Sequence, residues 1–181
     1  DYTNRGSIVT PLKDRIGSQI LTHYPLNMQI AKRITEQESN IKEEILEKIY
    51  VPEIAKDLVE QIGFEAKKSE FVDLKSGVSA RLSISAYENL ISTSRRRLII
   101  NGEKATSVRL TDFLGTISSI NGKIELVYEG ELEGADQISF ILINNSILKT
   151  FNDTFPEIKK LKKEEESTPY DEILLWFNKN D

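Results

Sequence analysis

The stretch SARLSISAYENLISTSRRRLIINGE, residues 79–103, constrains the fold more than any other part of the chain. Leu82, Ala86, Tyr87, Leu90, Ile91, Ser94 and Leu98 recur every three or four residues, which places them on one face of an α-helix. Asn101-Gly102 supplies the stop, because glycine accepts the left-handed conformation that ends helices. A helix with one apolar face must bury it against other elements, and the flanking sequence offers more helices. Asn27 is a plausible N-cap for a helix of about ten residues, with Met28, Ala31 and Ile34 inward. A helix from Pro52 to near Lys68 carries Ile54, Ala55, Leu58, Val59, Ile62 and Ala66 as a wide stripe. Residues 40–50 can continue as helix up to that proline. Thr111-Asp112 caps a segment running to about Ile120, and Asn121-Gly122 ends it. QISFILINNSILKTFND, residues 137–153, reads as helix through Ile138, Ile141, Leu142, Ile147, Leu148 and Phe151. Residues 12–21 predict a short helix, with Leu12, Ile16 and Ile20 spaced four apart. Within GKIELVYEGELEG, residues 122–134, the KIELVYE core alternates as a short strand or extended arm would. The charged run KKLKKEEES is a solvated linker, and YDEILLWFNKND closes the chain as a short amphipathic helix suited to docking. The fold class is mainly α: a helical bundle with a short extended or β arm and a C-terminal helical extension.

Composition narrows the function classes. With 181 residues, 39% hydrophobic and 29% charged, the chain suits one medium or two small globular domains. Its net charge of −5 argues against binding nucleic acid through phosphate neutralisation. It has no cysteine and one histidine, so disulfides, thiolate metal sites and His-rich metal sites are excluded. No apolar run approaches the length needed to span a bilayer, and the first residues lack a signal-peptide pattern. A cytoplasmic protein without membrane or nucleic-acid partners is expected.

Three stretches carry a resemblance. DYTNRGSIVTPLKDRIGSQILTHYP contains the box Leu12-Lys13-Asp14-Arg15-Ile16 followed by His23-Tyr24-Pro25, SGVSARLSISAYENLI spans residues 76–91, and NGKIELVYEGELEG spans 121–134. Their order and spacing resemble the AAA+ ATPases of the MoxR and magnesium-chelatase ATPase-subunit group, over roughly residues 1–150. No G-x-x-x-x-G-K-[ST] occurs, nor an apolar strand ending in paired acids. The resemblance therefore implies the lid-bearing C-terminal portion of such an ATPase. Residues 1–24 would be a remnant of the AAA+ core, 25–122 the helical lid, 123–158 an arm and helix packed on it, and 159–181 a charged linker with a terminal helix. It implies a ring, a hexamer, in which ATP hydrolysis remodels a partner protein. ATP and Mg²⁺ belong to the intact parent, and no cofactor is expected in this portion, which would be inactive alone.

Residue by residue, the resemblance gives Arg15 the part of an arginine finger reaching the neighbouring subunit's site. It gives Arg81 the part of sensor 2, at the start of a helix whose open N–H groups and forked guanidinium suit a γ-phosphate. Asn4 and Arg5 depart from the family's first sensor, since no proline follows Asn4, and take no catalytic role. Elsewhere the bland readings lead. Arg95-Arg96-Arg97 point to different sides of a helix and read as a solvated end, His23 as a packing or hinge residue, and Trp176 with Phe177 as a docking anchor. Two other classes remain: a stand-alone helical protein-interaction module without nucleotide binding, and a helical DNA-binding regulator using the arginine run.

Overall fold

A computed structural model describes residues 14–18, 20–21, 23–73, 78–156, 168 and 170–179. Asn4, Arg5, Leu12 and the run 159–167 lie outside the described residues. Among the described residues the architecture is mainly helical with one two-stranded parallel sheet.

Helix α1, Met28–Glu38, starts where Asn27 predicts it: the Asn27 Oδ1 accepts the Ile30 N–H at 2.9 Å. Its buried face is Ala31, Lys32 and Thr35, while Ile34 stays 41% exposed. The inward face is thus more polar than expected. Lys32 pairs with Asp57 at 2.7 Å and Glu53 at 3.2 Å, which makes burying its ammonium tolerable. Beyond α1, residues 40–50 do not continue as one helix. They give a single turn, α2 (Glu43–Leu46), then strand β1 (Ile49–Tyr50). Pro52 biases Val51 toward extended backbone, and Ile49 reaches the core at 2% exposure.

Helix α3 runs Glu53–Ala66 and buries Ala55, Leu58, Val59, Ile62 and Ala66, with Ile54 at its margin. Helix α4, Leu82–Asn101, buries all seven periodic positions from Leu82 to Leu98. It ends at Gly102, whose φ of 65° is the left-handed stop that the Asn-Gly pair predicts. Strand β2, Thr106–Ser107, pairs parallel with β1 in the register Ile49↔Thr106 and Tyr50↔Ser107.

A 3₁₀ helix, Leu110–Thr116, then leads into α5, Ile117–Asn121. Asp112 caps it from within the first turn, its Oδ2 accepting the Arg109 N–H at 2.8 Å. The arm is extended only over its first half. Ile124 bridges Val78 and Leu126 bridges Val72, both antiparallel. YEGELE then coils into α6, Tyr128–Glu133, with Glu129 and Glu131 favouring the positive helix start. Helix α7, Ala135–Thr154, and helix α8, Asp171–Lys179, complete the chain.

The core forms where α3 packs between α4 and α7, with the 3₁₀ helix against α4. Ile62, Leu90, Phe113, Ile120, Ile138 and Leu142 are each 1% exposed or less. The helix expected over 12–21 is absent from the described residues there. Asp14 and Arg15 form a turn, and residues 16–18, 20 and 21 are irregular. Gly17-Ser18 interrupts it with two poor helix formers, and Ile20 and Leu21 are 85% exposed, so no packing offsets that cost. Likewise α8 forms as expected, but none of its residues is buried.

Candidate functional site

Tyr24-Pro25, the C-terminal half of α3 and the start of α4 converge on a small cleft of ≈ 40 Å³. The Tyr24 hydroxyl donates to the Val78 carbonyl at 2.5 Å, across 54 residues of sequence. The Lys67 ammonium sits 3.6 Å from the centroid of the Tyr24 ring, a cation–π contact, and 5.5 Å from that of Phe64. Gly63 lets α3 approach α4 here, since a Cβ on it would lie 3.3 Å from the Ser83 Oγ.

Glu60 lies at the bottom of this cleft, 5% exposed. Burial pushes its carboxyl above the usual range, and hydrogen bonds from Thr35 and Ser83 with the charges of Lys67 and Lys32 only partly offset it. Lys67 is pulled down by burial, with Glu60 acting in the opposite direction. Ser83 and Thr35, which hydrogen-bond to Glu60, also line the cleft. It is a junction that fastens the segment before α1 onto two helices. Among the described residues no group of three acidic, histidine or cysteine side chains is placed to hold a metal ion.

Arg81 occupies the N-cap position of α4, between Ala80 and Leu82, which line the cleft. Its side chain is exposed, and no side chain caps the helix. The residue that opens this 20-residue helix is thus an exposed arginine. Arg15 is also exposed, and neither arginine itself lines the cleft. Tyr24-Pro25 and the turn carrying Arg81 are brought together; Arg15 is not brought to them. His23 stays exposed, its Nδ1 2.8 Å from the Tyr24 carbonyl oxygen.

The arginine run divides. Arg95 and Arg96 face solvent, whereas Arg97 turns inward, contrary to the solvated-end reading. Its Nε and Nη2 donate to Asp112 at 3.0 and 2.8 Å, Nη1 to the Thr106 Oγ1 at 2.7 Å, and Nη2 to the Ser107 carbonyl at 2.7 Å. Ser94 adds a 2.8 Å bond to Asp112. One guanidinium thereby ties α4 to β2 and the 3₁₀ helix, leaving two cations of the three for any outside anion.

Sequence reasoning missed Glu60 and Lys67. They stand seven residues apart, Glu60 on α3 and Lys67 at its C-cap, a same-face spacing, so their common side was readable although the burial of Glu60 was not. A second surface feature lies across α3. Ile54, Leu58, Leu110, Phe113, Phe151 and Phe155 line an open apolar groove of ≈ 360 Å³.

Comparison of the chain with protein-family models, curated proteins and solved structures gave no match. Among the described residues no helix is long and apolar enough to cross a membrane.

Proposed function

We propose that the chain is the lid-bearing C-terminal portion of a ring-forming AAA+ ATPase of the MoxR/magnesium-chelatase type, coupling ATP hydrolysis to the remodelling of a partner protein. The Tyr24–Val78 hydrogen bond carries this reading. It joins the Tyr-Pro that opens a lid in that group to the segment leading into the helix that carries a sensor arginine, two pieces that the sequence resemblance names separately. Arg81, exposed at an uncapped helix start, is suited to pair with a terminal phosphate through two N–H groups. Arg15, on an exposed turn away from that cleft, is suited to a site on the next subunit. ATP and Mg²⁺ come with a P-loop module that these residues do not include, and the lid alone does not hydrolyse ATP. Loss of the terminal phosphate would release Arg81 and swing the lid about the Tyr24-Pro25 junction.

Reading the coding frame upstream of Asp1 tests the assignment. A P-loop followed by a strand ending in acids is expected, and a different domain there would overturn it. In the protein carrying that module, Arg15→Ala should lower kcat about 10³-fold or more, as removal of an arginine finger does. Arg81→Ala should lower it about tenfold or more, on a steady-state phosphate-release assay. Unchanged turnover in both variants excludes the two roles.

The ≈ 360 Å³ apolar groove favours a second reading, a helical protein-interaction module without nucleotide binding. It predicts partner binding that neither arginine substitution alters.

A further inference from the structure

Two surface patches carry opposite charge around exposed apolar side chains. At the end of α4, Ile99 and Ile100 are 63% and 70% exposed, with Arg95 and Arg96 one turn before them. Each arginine stands at i to an isoleucine at i+4, so the two kinds of side chain lie together. Among the described residues neither arginine forms an ion pair or a side-chain hydrogen bond, unlike Arg97 beside them. A phosphate would satisfy both arginines but leave both isoleucines in water. The occupant that fits brings acids and apolar surface together, and α6 has that make-up. Its Tyr128 and Leu132, at i and i+4, are each 71% exposed, and Glu129, Glu131 and Glu133 are exposed around them. Among the described residues these three acids form no ion pair.

We propose that α6 of one copy of this chain docks against the end of α4 of a second copy, its glutamates meeting Arg95 and Arg96 around an apolar contact of Tyr128 and Leu132 with Ile99 and Ile100. Charge complementarity selects this occupant, because one chain presents both the acids and the unpaired cations. Geometry places the contact between copies. α6 lies at the end of the core where α3 finishes and α4 begins. There the Val127 N–H donates to the Phe71 carbonyl at 3.0 Å, and the Ser79 N–H to the Lys123 carbonyl at 2.9 Å. Ile99 lies near the far end of the 20-residue α4, about 25 Å along it at ~1.5 Å per residue. One chain therefore cannot bring its own two patches together. A contact between two different patches closes into a ring or continues head to tail as a filament. It needs no nucleotide, so it stands apart from the ATPase reading.

Sedimentation equilibrium is measured on the full chain from about 1 µM to about 1 mM, the range of ordinary weak association. Association is expected at low salt, and weaker association in about 1 M salt, where the Debye length falls to about 3 Å. Arg95→Glu with Arg96→Glu reverses one patch, and Glu129→Arg with Glu133→Arg reverses the other. All four positions are exposed, and far-UV circular dichroism checks that the fold persists. Each double variant alone should associate at least about tenfold more weakly, because like charges then face one another. An equimolar mixture of the two should recover association, since each presents the charge that the other's patches lack. A chain carrying all four substitutions should recover it too. Three results would overturn the proposal: a monomer at every concentration in low salt, including one whose Arg95 and Arg96 instead hold it to phosphatidylserine vesicles; association that neither double variant weakens; or weakening that neither the mixture nor the fourfold variant reverses.

Discussion

Arg97 shows how much a single side chain can decide. Its guanidinium is 16% exposed and the Asp112 carboxylate 3%, so the pair is largely desolvated and every bond it makes matters. Burial pushes the Asp112 carboxyl up, but Arg97, the Arg109 N–H and the Ser94 hydroxyl together bring it below the usual carboxylate value. A depressed folded-state pKa means that this contribution is fully present above the unfolded value of 3.8 and is lost as pH falls through the folded value. Arg97→Ala leaves the acid buried without its cation and should cost about 3 kcal/mol at pH 7, read as a lowered urea midpoint. Asp112→Asn should also lower the midpoint at pH 7, and its stability should fall less steeply than the wild type's below about pH 4. Equal acid sensitivity in both proteins would show that Asp112 carries none of the linkage. The inward turn of Arg97 was partly legible. Leu90, Ser94 and Arg97 stand four and three residues apart, on the same face that buries Leu98. What the sequence could not supply was Asp112, a partner from another element, and without a partner a solvated arginine is the cheaper state.

At the scale of elements, legibility followed length and packing. The long helices have enough turns for their apolar period to be unambiguous, and α4 buries every position its period names. The strands β1 and β2 have two residues each, too few to display alternation, and they exist because α4 and the arginine network hold them together. The segment 12–21 shows the reverse: its spacing fits a helix, but spacing confers no stability where Ile20 and Leu21 have nothing to pack on. The arm was read correctly where it bridges Val72 and Val78, and incorrectly beyond Val127, where acids at a helix start outweighed alternation. Gly130 is what seats α6 against that bridge. A Cβ there would lie 2.6 Å from the Phe71 carbonyl oxygen and 3.3 Å from the Leu126 Cβ, and the first of these is backbone that cannot turn aside. Gly130→Ala should therefore cost about 1–3 kcal/mol. Hydrogen exchange should show early loss of protection at the Val127 N–H, which donates to that same carbonyl at 3.0 Å. Gly17→Ala, with nothing within 4 Å of the added methyl, is the control and should leave the melting temperature unchanged.

For the whole molecule, the position of the core separates what folds the chain from what the chain presents outward. The main cluster runs in sequence from Ile49 to Ile143 and draws on α3, α4 and α7, while α8 contributes nothing to it. The candidate site lies at one margin of that core, and only part of it could be read in advance. Tyr24-Pro25 and Arg81 were each visible in the sequence, but the bond from Tyr24 to Val78, three residues before Arg81, depends on how α3 and α4 pack. Burial of Glu60 and half-burial of Lys67 in the cleft depend on the same packing. Stability and presentation should therefore come apart on truncation. A chain ending at Pro156 loses the exposed apolar residues of α8 and no residue of the cluster, so its calorimetric melting temperature should stay within about 2 °C of the full chain. Leu142→Ala removes a side chain 1% exposed at the α3–α7 contact. It should cost about 2–5 kcal/mol and lower the melting temperature by roughly 5–15 °C. If the truncated chain instead melted as low as the Leu142 variant, α8 would belong to the folding unit, and its exposed face would have to be reassigned to the core.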